Sequence, residues 1–184
     1  LFIREIMATV KILKHGDLEK NITLDDTPIN QNIAKNELLL EVLLFPINPA
    51  DLLLIEGKYG IKPNLPCLIG AECVAVVNKI GKEVRSFKEG DIVMPLSRNN
   101  WASKKKVKEN ELIKLKFDTN LEQISMLKIN PATAYLMLNN YIKIKNNDFI
   151  IQNAANSAVG NHIIQLCNSY GIKNINLVRR NDVF

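Results

Sequence analysis

The spacing of apolar residues predicts a buried strand early in the chain. The segment KNELLLEVLLFPINPAD, residues 35–51, places apolar side chains on both faces of a strand, with Leu38, Leu40, Val42 and Leu44 on one face and Leu39 and Leu43 on the other. A strand that is apolar on both faces is buried on both. Because proline cannot donate a ladder hydrogen bond, Pro46 and Pro49 are expected to end this strand.

Glycine turns divide the next apolar segment. The segment AECVAVVNKIGKEVRSFKEGDIVMP, residues 71–95, predicts a strand, a turn at Gly81, a short strand, a turn at Gly90 and Asp91, and a further strand. Short strands separated by glycine turns are typical of a small β-barrel.

The pattern becomes helical near residue 118. Thr119 and Glu122 have the spacing of a capping box that opens a helix. Asn130 and Pro131 predict a second helix, with the asparagine at the cap and the proline at the first helical position.

A strand, a loop and a helix follow Asp148. The apolar run predicts a strand at 149–152 and then a helix that starts near 159 and ends before Gly171. One face of that helix carries Ile163, Ile164, Cys167 and Tyr170. The segment INLV, 175–178, predicts the next strand, which completes a βαβ unit of the kind that builds parallel sheets.

These patterns predict a mixed α and β protein with two domains, a β-barrel domain at 1–122 and the incomplete first part of a parallel α/β domain at 123–184. A doubly wound sheet normally has about six strands. We therefore expect the chain to be the front part of a longer protein, and the last elements of this chain to present an unpaired sheet edge.

Composition and charge narrow the function classes. The 184 residues are 47% hydrophobic and 23% charged, which suits a globular protein with a real core. The net charge of +5 comes mainly from scattered lysines, and the run 104–106 lacks interleaved aromatic residues, so nucleic acid is not an expected partner. No apolar run approaches the roughly 18–20 residues of a membrane span, so no membrane partner is expected either.

The loop at 153–160 has features of a dinucleotide site. Such a loop needs a tight turn, a close backbone approach to the pyrophosphate and close packing of helix on strand. The matching positions hold Ala155, Ser157 and Gly160, small residues that meet these needs in part. The helix that follows would aim free N–H groups at an anion. An ordinary strand-to-helix loop is the alternative.

Two arginines follow the second strand of the βαβ unit. At this place an NAD enzyme has an acidic residue that binds the ribose 2′-hydroxyl. Arg179 and Arg180 stand here instead, and a guanidinium pairs well with a 2′-phosphate. If the loop binds a dinucleotide, the sequence therefore favours NADPH over NADH; the alternative is a pair of solvated arginines.

Three stretches resemble one known family: FPINPADLLLIEGKYGIKPNLP at 45–66, INPATAYLML at 129–138, and IIQNAANSAVG with INLVRRN between 150 and 181. A fourth stretch, residues 70–93, has a matching order of residues: Gly70, Glu72, Val77, Gly81, Val84, Phe87, Gly90, Asp91 and Val93. Together these stretches resemble the medium-chain dehydrogenase/reductase superfamily, and within it the mitochondrial-type trans-2-enoyl thioester reductases of fatty-acid synthesis. The resemblance implies a GroES-like barrel followed by a Rossmann domain, NADPH as cofactor, an enoyl-CoA or enoyl-acyl-carrier-protein substrate, and a homodimer for the full-length protein.

The resemblance also implies residue roles. Tyr59 matches the catalytic tyrosine, and Asn130 matches an asparagine that contacts the cofactor. The phosphate loop is matched by Asn156, Ser157, Ala158 and Val159. The 2′-phosphate site is matched by Arg179, Arg180 and Asn181. Ala158 stands where the family usually has glycine, and Asn181 replaces a frequent arginine.

A zinc site of the alcohol dehydrogenase kind is not expected. The position of the usual cysteine ligand holds Asn48, and that of the usual histidine holds Ala71. Amide and methyl groups do not serve as zinc donors. Asp51 and Glu72 could act as acid or base, but we favour structural roles: Asp51 would accept hydrogen bonds from backbone N–H groups around Pro49.

Three hypotheses of function remain. The first is a zinc-independent, NADPH-dependent 2-enoyl thioester reductase, the second a zinc-free NADPH:quinone oxidoreductase, and the third a truncated chain that binds a nucleotide or a partner without catalysis. The loop NAANSAVG and the segment EGKYG favour the first. Three cysteines without a CxxC pair favour a reducing intracellular compartment. With the family resemblance, the expected location is a bacterial cytoplasm or the mitochondrial matrix.

Overall fold

A computed structural model describes residues 8–27, 30–116, 120–141, 143–145 and 147–180. The chain divides into two compact units, Leu1–Met126 and Leu127–Phe184. The predicted domain boundary at 122–123 falls inside helix α3 (Leu121–Ser125), whose contacts are with strands of the first unit.

The first unit is mainly antiparallel sheet. Its strands are β1 (Thr9–Ile12), β2 (Ile22–Asp25), β3 (Glu37–Leu44), β4 (Cys67–Leu68), β5 (Val74–Ile80), β6 (Ile92–Pro95), β7 (Lys104–Lys108) and β8 (Leu112–Lys114). Besides α3 it contains helices α1 (Leu18–Asn21) and α2 (Pro49–Glu56) and a 3-10 turn at Glu109–Glu111. One sheet has the strand order β7-β3-β5-β6-β8 and the other the order β2-β1-β4.

Strand β3 is buried on both faces only in its first half. Leu38, Leu39 and Leu40 are completely buried, as predicted, whereas Leu43 and Leu44 are exposed, so the prediction was wrong for the second half. Pairing with β7 extends only from Glu37 to Glu41. Beyond that point no strand of the described residues pairs with this flank of β3, and the side chains of Leu43 and Leu44 reach solvent.

The predicted short strand between Gly81 and Gly90 does not form. The carboxylate of Glu109 accepts hydrogen bonds from the backbone N–H groups of Arg85 at 2.9 Å and Ser86 at 2.6 Å. A side chain therefore satisfies backbone donors that a strand ladder would otherwise take. The turn at Gly81 was predicted correctly, and a Cβ atom there would lie 2.3 Å from the carbonyl oxygens of residues 34 and 35.

The second unit contains one βαβ unit and a preceding helix. Its elements are α4 (Asn130–Asn140), β9 (Phe149–Gln152), α5 (Ala158–Tyr170) and β10 (Lys173–Asn176), and β9 pairs with β10 in parallel. The predicted bounds of β9 and the stop of α5 at Gly171, in the left-handed conformation with φ +69°, are confirmed. Its hydrophobic cluster joins the two helices through Ala134, Leu138, Ile163 and Cys167.

Several local predictions in this half of the chain were wrong. Strand β10 begins two residues before the predicted 175–178, because Lys173 pairs with Phe149. Tyr170 is 45% exposed and does not share the buried face of α5. Asn130 is already the first residue of α4 and not its cap; the cap position belongs to the preceding residue, Ile129. Helix α3 is capped by Asn120, and Thr119 lies outside the described residues.

The two-stranded sheet of the second unit has one covered face. Ile150 packs against the helical cluster, while Phe149, Ile151 and Ile175 on the other face are 59%, 65% and 45% exposed. Within the described residues, no helix is long and apolar enough to cross a membrane.

Candidate functional site

Helix α2 fixes the backbone that carries Tyr59. The helix starts at Pro49, where a missing N–H costs nothing, and it ends at Gly57, whose φ of +74° belongs to the left-handed region. Beyond this glycine the N–H groups of Lys58 and Tyr59 both donate to the carbonyl oxygen of Leu53, at 2.9 and 3.1 Å. Tyr59 therefore has a defined backbone position, and Pro49 opens a helix that the sequence analysis did not predict.

The ring of Tyr59 has an apolar support and a cationic neighbour. It is half-buried and packs against a cluster formed by Ile12, Leu54, Ile55, Ile69 and Trp101. The central carbon of the Arg98 guanidinium lies 5.5 Å from the centroid of the ring, within the range of a cation–π contact. No local feature of the sequence pointed to this pairing, because it joins two loops of the first unit.

The carboxylates of Asp51 and Glu72 take part in a buried network around the start of α2. Asp51 accepts hydrogen bonds from the N–H of Asn48 at 3.0 Å and from the N–H of Ala71 at 2.9 Å, as predicted for a structural role near Pro49. Glu72 is fully buried and accepts from the side-chain amide of Asn48 at 2.9 Å. Burial raises the pKa of Asp51, and these hydrogen bonds and the charge of Arg98 oppose the rise.

The same network occupies the two positions considered for zinc. The amide of Asn48 is used by Glu72, and Ala71 contributes its backbone N–H to Asp51. The Nδ1 of His15 donates to the carbonyl oxygen of Leu54 at 3.0 Å. In the described ranges of the chain, no group of three or more His, Cys, Asp or Glu side chains could hold a metal ion.

In the second unit the loop between β9 and α5 makes a tight turn. Ala154 has a φ of +49°, an uncommon conformation for a residue with a side chain. Ser157 caps α5, and its hydroxyl oxygen accepts from the N–H of Gly160 at 3.1 Å. A Cβ atom on Gly160 would lie 2.5 Å from the carbonyl oxygen of Ala155. Gly160 thus meets the need for close packing of helix on strand.

The loop and the two arginines line one cavity. This cavity, of about 790 Å³, is lined by Asn153, Ala154, Asn156, Arg179 and Arg180. Three predicted cofactor residues, Asn156 and both arginines, are therefore brought together. An anion in this cavity would meet two cations at the end of β10 and amide groups from the loop.

The other predicted cofactor residues do not line this cavity. Ser157 acts as the cap of α5, and the side chain of Val159 packs into the hydrophobic cluster of the second unit. Ala158 is exposed at the first position of α5, and Asn130 is half-buried at the start of α4. Asn181 lies outside the described residues.

The sequence analysis missed a polar residue that supports the loop. The side-chain amide of Gln152 donates to the carbonyl oxygen of Gly160 at 3.1 Å and to Oδ1 of Asn176 at 2.7 Å. It thereby ties the end of β9 to both α5 and β10. A polar residue at the inward position of an otherwise apolar strand was the available signal.

Two sequence comparisons identify relatives of the chain. Residues 34–118 match the alcohol dehydrogenase GroES-like domain. A mitochondrial enoyl-(acyl-carrier-protein) reductase of Dictyostelium discoideum is 41% identical over 179 residues, which are 96% of this chain and 51% of that protein. The chain thus spans about half the length of the curated relatives it matches.

Solved structures of an enoyl thioester reductase and of a quinone oxidoreductase both superpose on the chain. The mitochondrial 2-enoyl thioester reductase Etr1p/Etr2p heterodimer from Candida tropicalis superposes with a TM-score of 0.88 at 29% identity, over 96% of this chain and 56% of that chain. A quinone oxidoreductase of Escherichia coli complexed with NADPH has a TM-score of 0.85 at 25% identity, over 96% of this chain and 54% of that one. The predicted fold, a GroES-like β-domain followed by the start of a Rossmann-type domain, is confirmed.

Proposed function

Because this chain belongs to the medium-chain dehydrogenase/reductase superfamily, on its enoyl thioester reductase branch, we propose that the full-length protein reduces trans-2-enoyl thioesters with NADPH. The observation that carries the proposal is the single cavity that collects Asn156, Arg179 and Arg180 at the loop before α5. The substrate class is supported by the relatives, since Etr1p has been solved in complex with NADP and crotonyl-CoA.

The second unit would hold the phosphates of the cofactor. The first four N–H groups of a helix lack intrahelical partners. In α5, the hydroxyl oxygen of Ser157 accepts a hydrogen bond from the N–H of Gly160, and the carbonyl oxygen of Ser157 accepts one from the N–H of Asn161. Within the described residues, the N–H groups of Ala158 and Val159 make no hydrogen bond and remain for the pyrophosphate. Arg179 and Arg180 would pair with the 2′-phosphate.

The first unit would supply the proton donor. A thioester carbonyl conjugated to C=C makes the β-carbon an acceptor for the hydride that NADPH supplies when it is bound. The enolate oxygen then needs a hydrogen-bond donor and the α-carbon needs a proton. The hydroxyl of Tyr59 can donate while uncharged, and its backbone is fixed by Leu53.

Kinetics on the full-length protein test the catalytic part of the proposal. NADPH oxidation should be fast with a crotonyl thioester and slow with a quinone. Tyr59→Phe should lower kcat by about a hundredfold or more, the usual contribution of a positioned proton donor. Tyr141→Phe is the matched control, since Tyr141 is 79% exposed. Wild-type turnover in a folded Tyr59→Phe protein would eliminate the role.

Cofactor preference tests the role of the arginines. Arg179→Ala should weaken NADPH binding by about ten- to a hundredfold, the loss of a charge-assisted contact, and leave NADH binding unchanged. Lys143→Ala removes an exposed cation elsewhere in the second unit and should change neither. Equal losses for both nucleotides would mean that Arg179 does not bind the 2′-phosphate.

A zinc-free quinone oxidoreductase is the second candidate, favoured by the superposition on the Escherichia coli enzyme. Faster turnover with the quinone than with the thioester would establish it. The names of the sequence relatives support a location in mitochondria, and the dimeric state of the Candida tropicalis enzyme supports a dimer for the full-length protein.

A further inference from the structure

We propose that Arg98 is a positioning residue for Tyr59, and that the buried Lys105 holds the loop from which Arg98 reaches the phenol ring. This inference rests on the proposed role of Tyr59 and adds to it a residue that the family resemblance did not supply. It concerns only the first unit, which contains Arg98, Tyr59, Lys105 and the loop that carries Arg98.

The contact between Arg98 and Tyr59 is the first observation. The guanidinium carbon is 5.5 Å from the ring centroid, while the ring also packs against the cluster around Leu54 and Ile69. Arg98 forms no ion pair with a carboxylate in the part of the chain that the structure describes. Its charge acts on the carboxylate of Asp51 without forming an ion pair, and at 5.5 Å it also acts on the negative face of the aromatic ring.

The loop that carries Arg98 is held by Lys105. The Nζ atom of Lys105 donates to Oγ of Ser97 at 2.8 Å, to Oδ1 of Asn99 at 2.6 Å and to Oδ1 of Asn100 at 2.7 Å. These partners lie on both sides of Arg98 in the sequence. Lys105 is only 5% exposed. Because a buried ammonium group that loses its acceptors is strongly destabilising, the loop has one favoured conformation.

Asn100 fixes the other side of the same loop. It is completely buried, and its amide donates to the carbonyl oxygens of Gly70 at 3.0 Å and Ser97 at 2.8 Å. The backbone on both sides of Arg98 is thus anchored to the body of the unit. An exposed arginine on such a loop loses little freedom when it covers the ring of Tyr59.

The consequence for the reaction is orientation of the phenol. Tyr59 follows Gly57 and precedes Gly60, and its ring is only half-buried. An apolar support alone leaves the hydroxyl several directions to point. A cation over the ring restricts them, and a restricted donor is worth more in the transition state than a mobile one. Arg98 acts here through Tyr59 and not by contact with the substrate.

The kinetics of four variants test this role. In the full-length protein, Arg98→Ala should lower kcat by about two- to fivefold, the loss expected for one exposed cation–π contact, with the KM for NADPH unchanged. Arg98→Lys should recover part of the loss because an ammonium group also binds an aromatic face. Lys105→Met should reproduce the fall in kcat, and Lys82→Ala, which removes an exposed lysine of the same unit, should not.

A thioester without phosphates separates positioning from substrate binding. The same fall in kcat with crotonyl-N-acetylcysteamine and with crotonyl-CoA supports the proposal. A loss seen only with crotonyl-CoA, as a higher KM, would show that Arg98 binds substrate phosphate and overturns it. In the Tyr59→Phe background, Arg98→Ala should have no further effect on kcat; an additional loss also overturns it.

A measurement independent of turnover separates this inference from the proposed function. In protein with ¹³C-labelled tyrosine rings, the signal absent from Tyr59→Phe identifies Tyr59. Arg98→Ala should shift that signal, whereas Lys82→Ala should leave it in place. An unchanged signal in Arg98→Ala overturns the inference whatever the activity. A wild-type protein that reduces neither thioester would overturn the proposed function, and the NMR result would still decide on the contact.

Discussion

The two units of the chain bury their sheets to different degrees. In the first unit β3 lies between β5 and β7, and Leu38, Leu39 and Leu40 are completely buried. In the second unit β9 and β10 alternate between half-buried and exposed residues, and neither strand has a buried one. The first sheet is therefore held by packing on both sides, whereas the second depends on one helical layer and on polar ties such as Gln152.

This difference separates the ways in which the two units present functional groups. Tyr59 stands on a packed support, with its backbone fixed by α2 and its ring against a hydrophobic cluster. The cavity proposed to hold the cofactor phosphates instead lies beyond the ends of two exposed strands, where a loop and two arginines meet. Substitutions in the first unit should thus act mainly through packing, and those in the second mainly through backbone geometry and hydrogen bonds.

The largest effect is expected from a cavity in the first sheet. Leu40 is completely buried in the main cluster of the first unit, so Leu40→Ala should lower the free energy of unfolding by about 2–5 kcal/mol. Ile151→Ala is the matched change in the second sheet and should cost no more than about 0.5 kcal/mol, since Ile151 is 65% exposed. Urea unfolding checks both: the fluorescence of the single tryptophan, Trp101, reports on the first unit, and far-UV circular dichroism reports on the helices of the second unit. Equal losses would contradict the comparison.

A buried carboxylate gives the first unit a dependence on pH. Asp91 is only 4% exposed, and this burial raises its pKa. The ammonium of Lys114 at 2.6 Å and the N–H of Lys88 at 2.9 Å lower the pKa by more than burial raises it, so the net shift is downward. A carboxyl group whose pKa is lower in the folded state stabilises the protein above its unfolded pKa of about 3.9. This contribution is lost as the pH falls through the folded pKa.

Asp91→Asn tests this sign. The variant should lose about 1.5–3 kcal/mol of unfolding free energy at pH 7, the value of hydrogen bonds to a charged group. The difference from wild type should shrink as the pH is lowered below about 4. Urea unfolding followed by Trp101 at a series of pH values measures it. A difference that stays constant down to the acid limit would refute the assignment.

A smaller effect is expected from the close approach of α5 to its loop. Gly160→Ala places a methyl group 2.5 Å from the carbonyl oxygen of Ala155, and the backbone has to move. Overpacking of this kind costs about 1–3 kcal/mol, and the displaced loop should also bind NADPH more weakly. Asn161→Ala, at the neighbouring exposed position, is the control and should be neutral in both respects. Thermal unfolding by far-UV circular dichroism and an NADPH titration provide the two measurements.

The local signals of the sequence predicted the second unit better than the first. The apolar run at 149–152 and the glycine at 171 gave the bounds of β9 and the end of α5, because both depend on neighbouring residues. Helix α2 was missed although Pro49 and Gly57 are start and stop signals, since Pro49 was interpreted as the end of a strand and Asn48 as the position of a lost zinc ligand.

Features that depend on distant residues were beyond a local interpretation. The carboxylate of Glu109 replaces the predicted strand near Arg85, and nothing in residues 82–89 signals it. The contact of Arg98 with Tyr59 joins two loops that only the folded unit brings together. The approach of Arg179 and Arg180 to the loop, in contrast, was predictable, because parallel strands of a βαβ unit end at the same edge.

The smallest effect on stability is expected at Ser157, and two substitutions there separate its role as the cap of α5 from its proposed place beside the cofactor phosphates. Its hydroxyl accepts from the N–H of Gly160 at 3.1 Å, so Ser157→Ala should lower the free energy of unfolding by about 1 kcal/mol. Ser157→Asp should restore this stability, because aspartate is as good a cap as serine. The same carboxylate would repel a phosphate at the N-terminus of α5 and should weaken NADPH binding more than Ser157→Ala does. Far-UV circular dichroism gives the stability and NADPH titration the affinity, and an aspartate variant that binds NADPH as well as wild type would place the phosphates away from this helix.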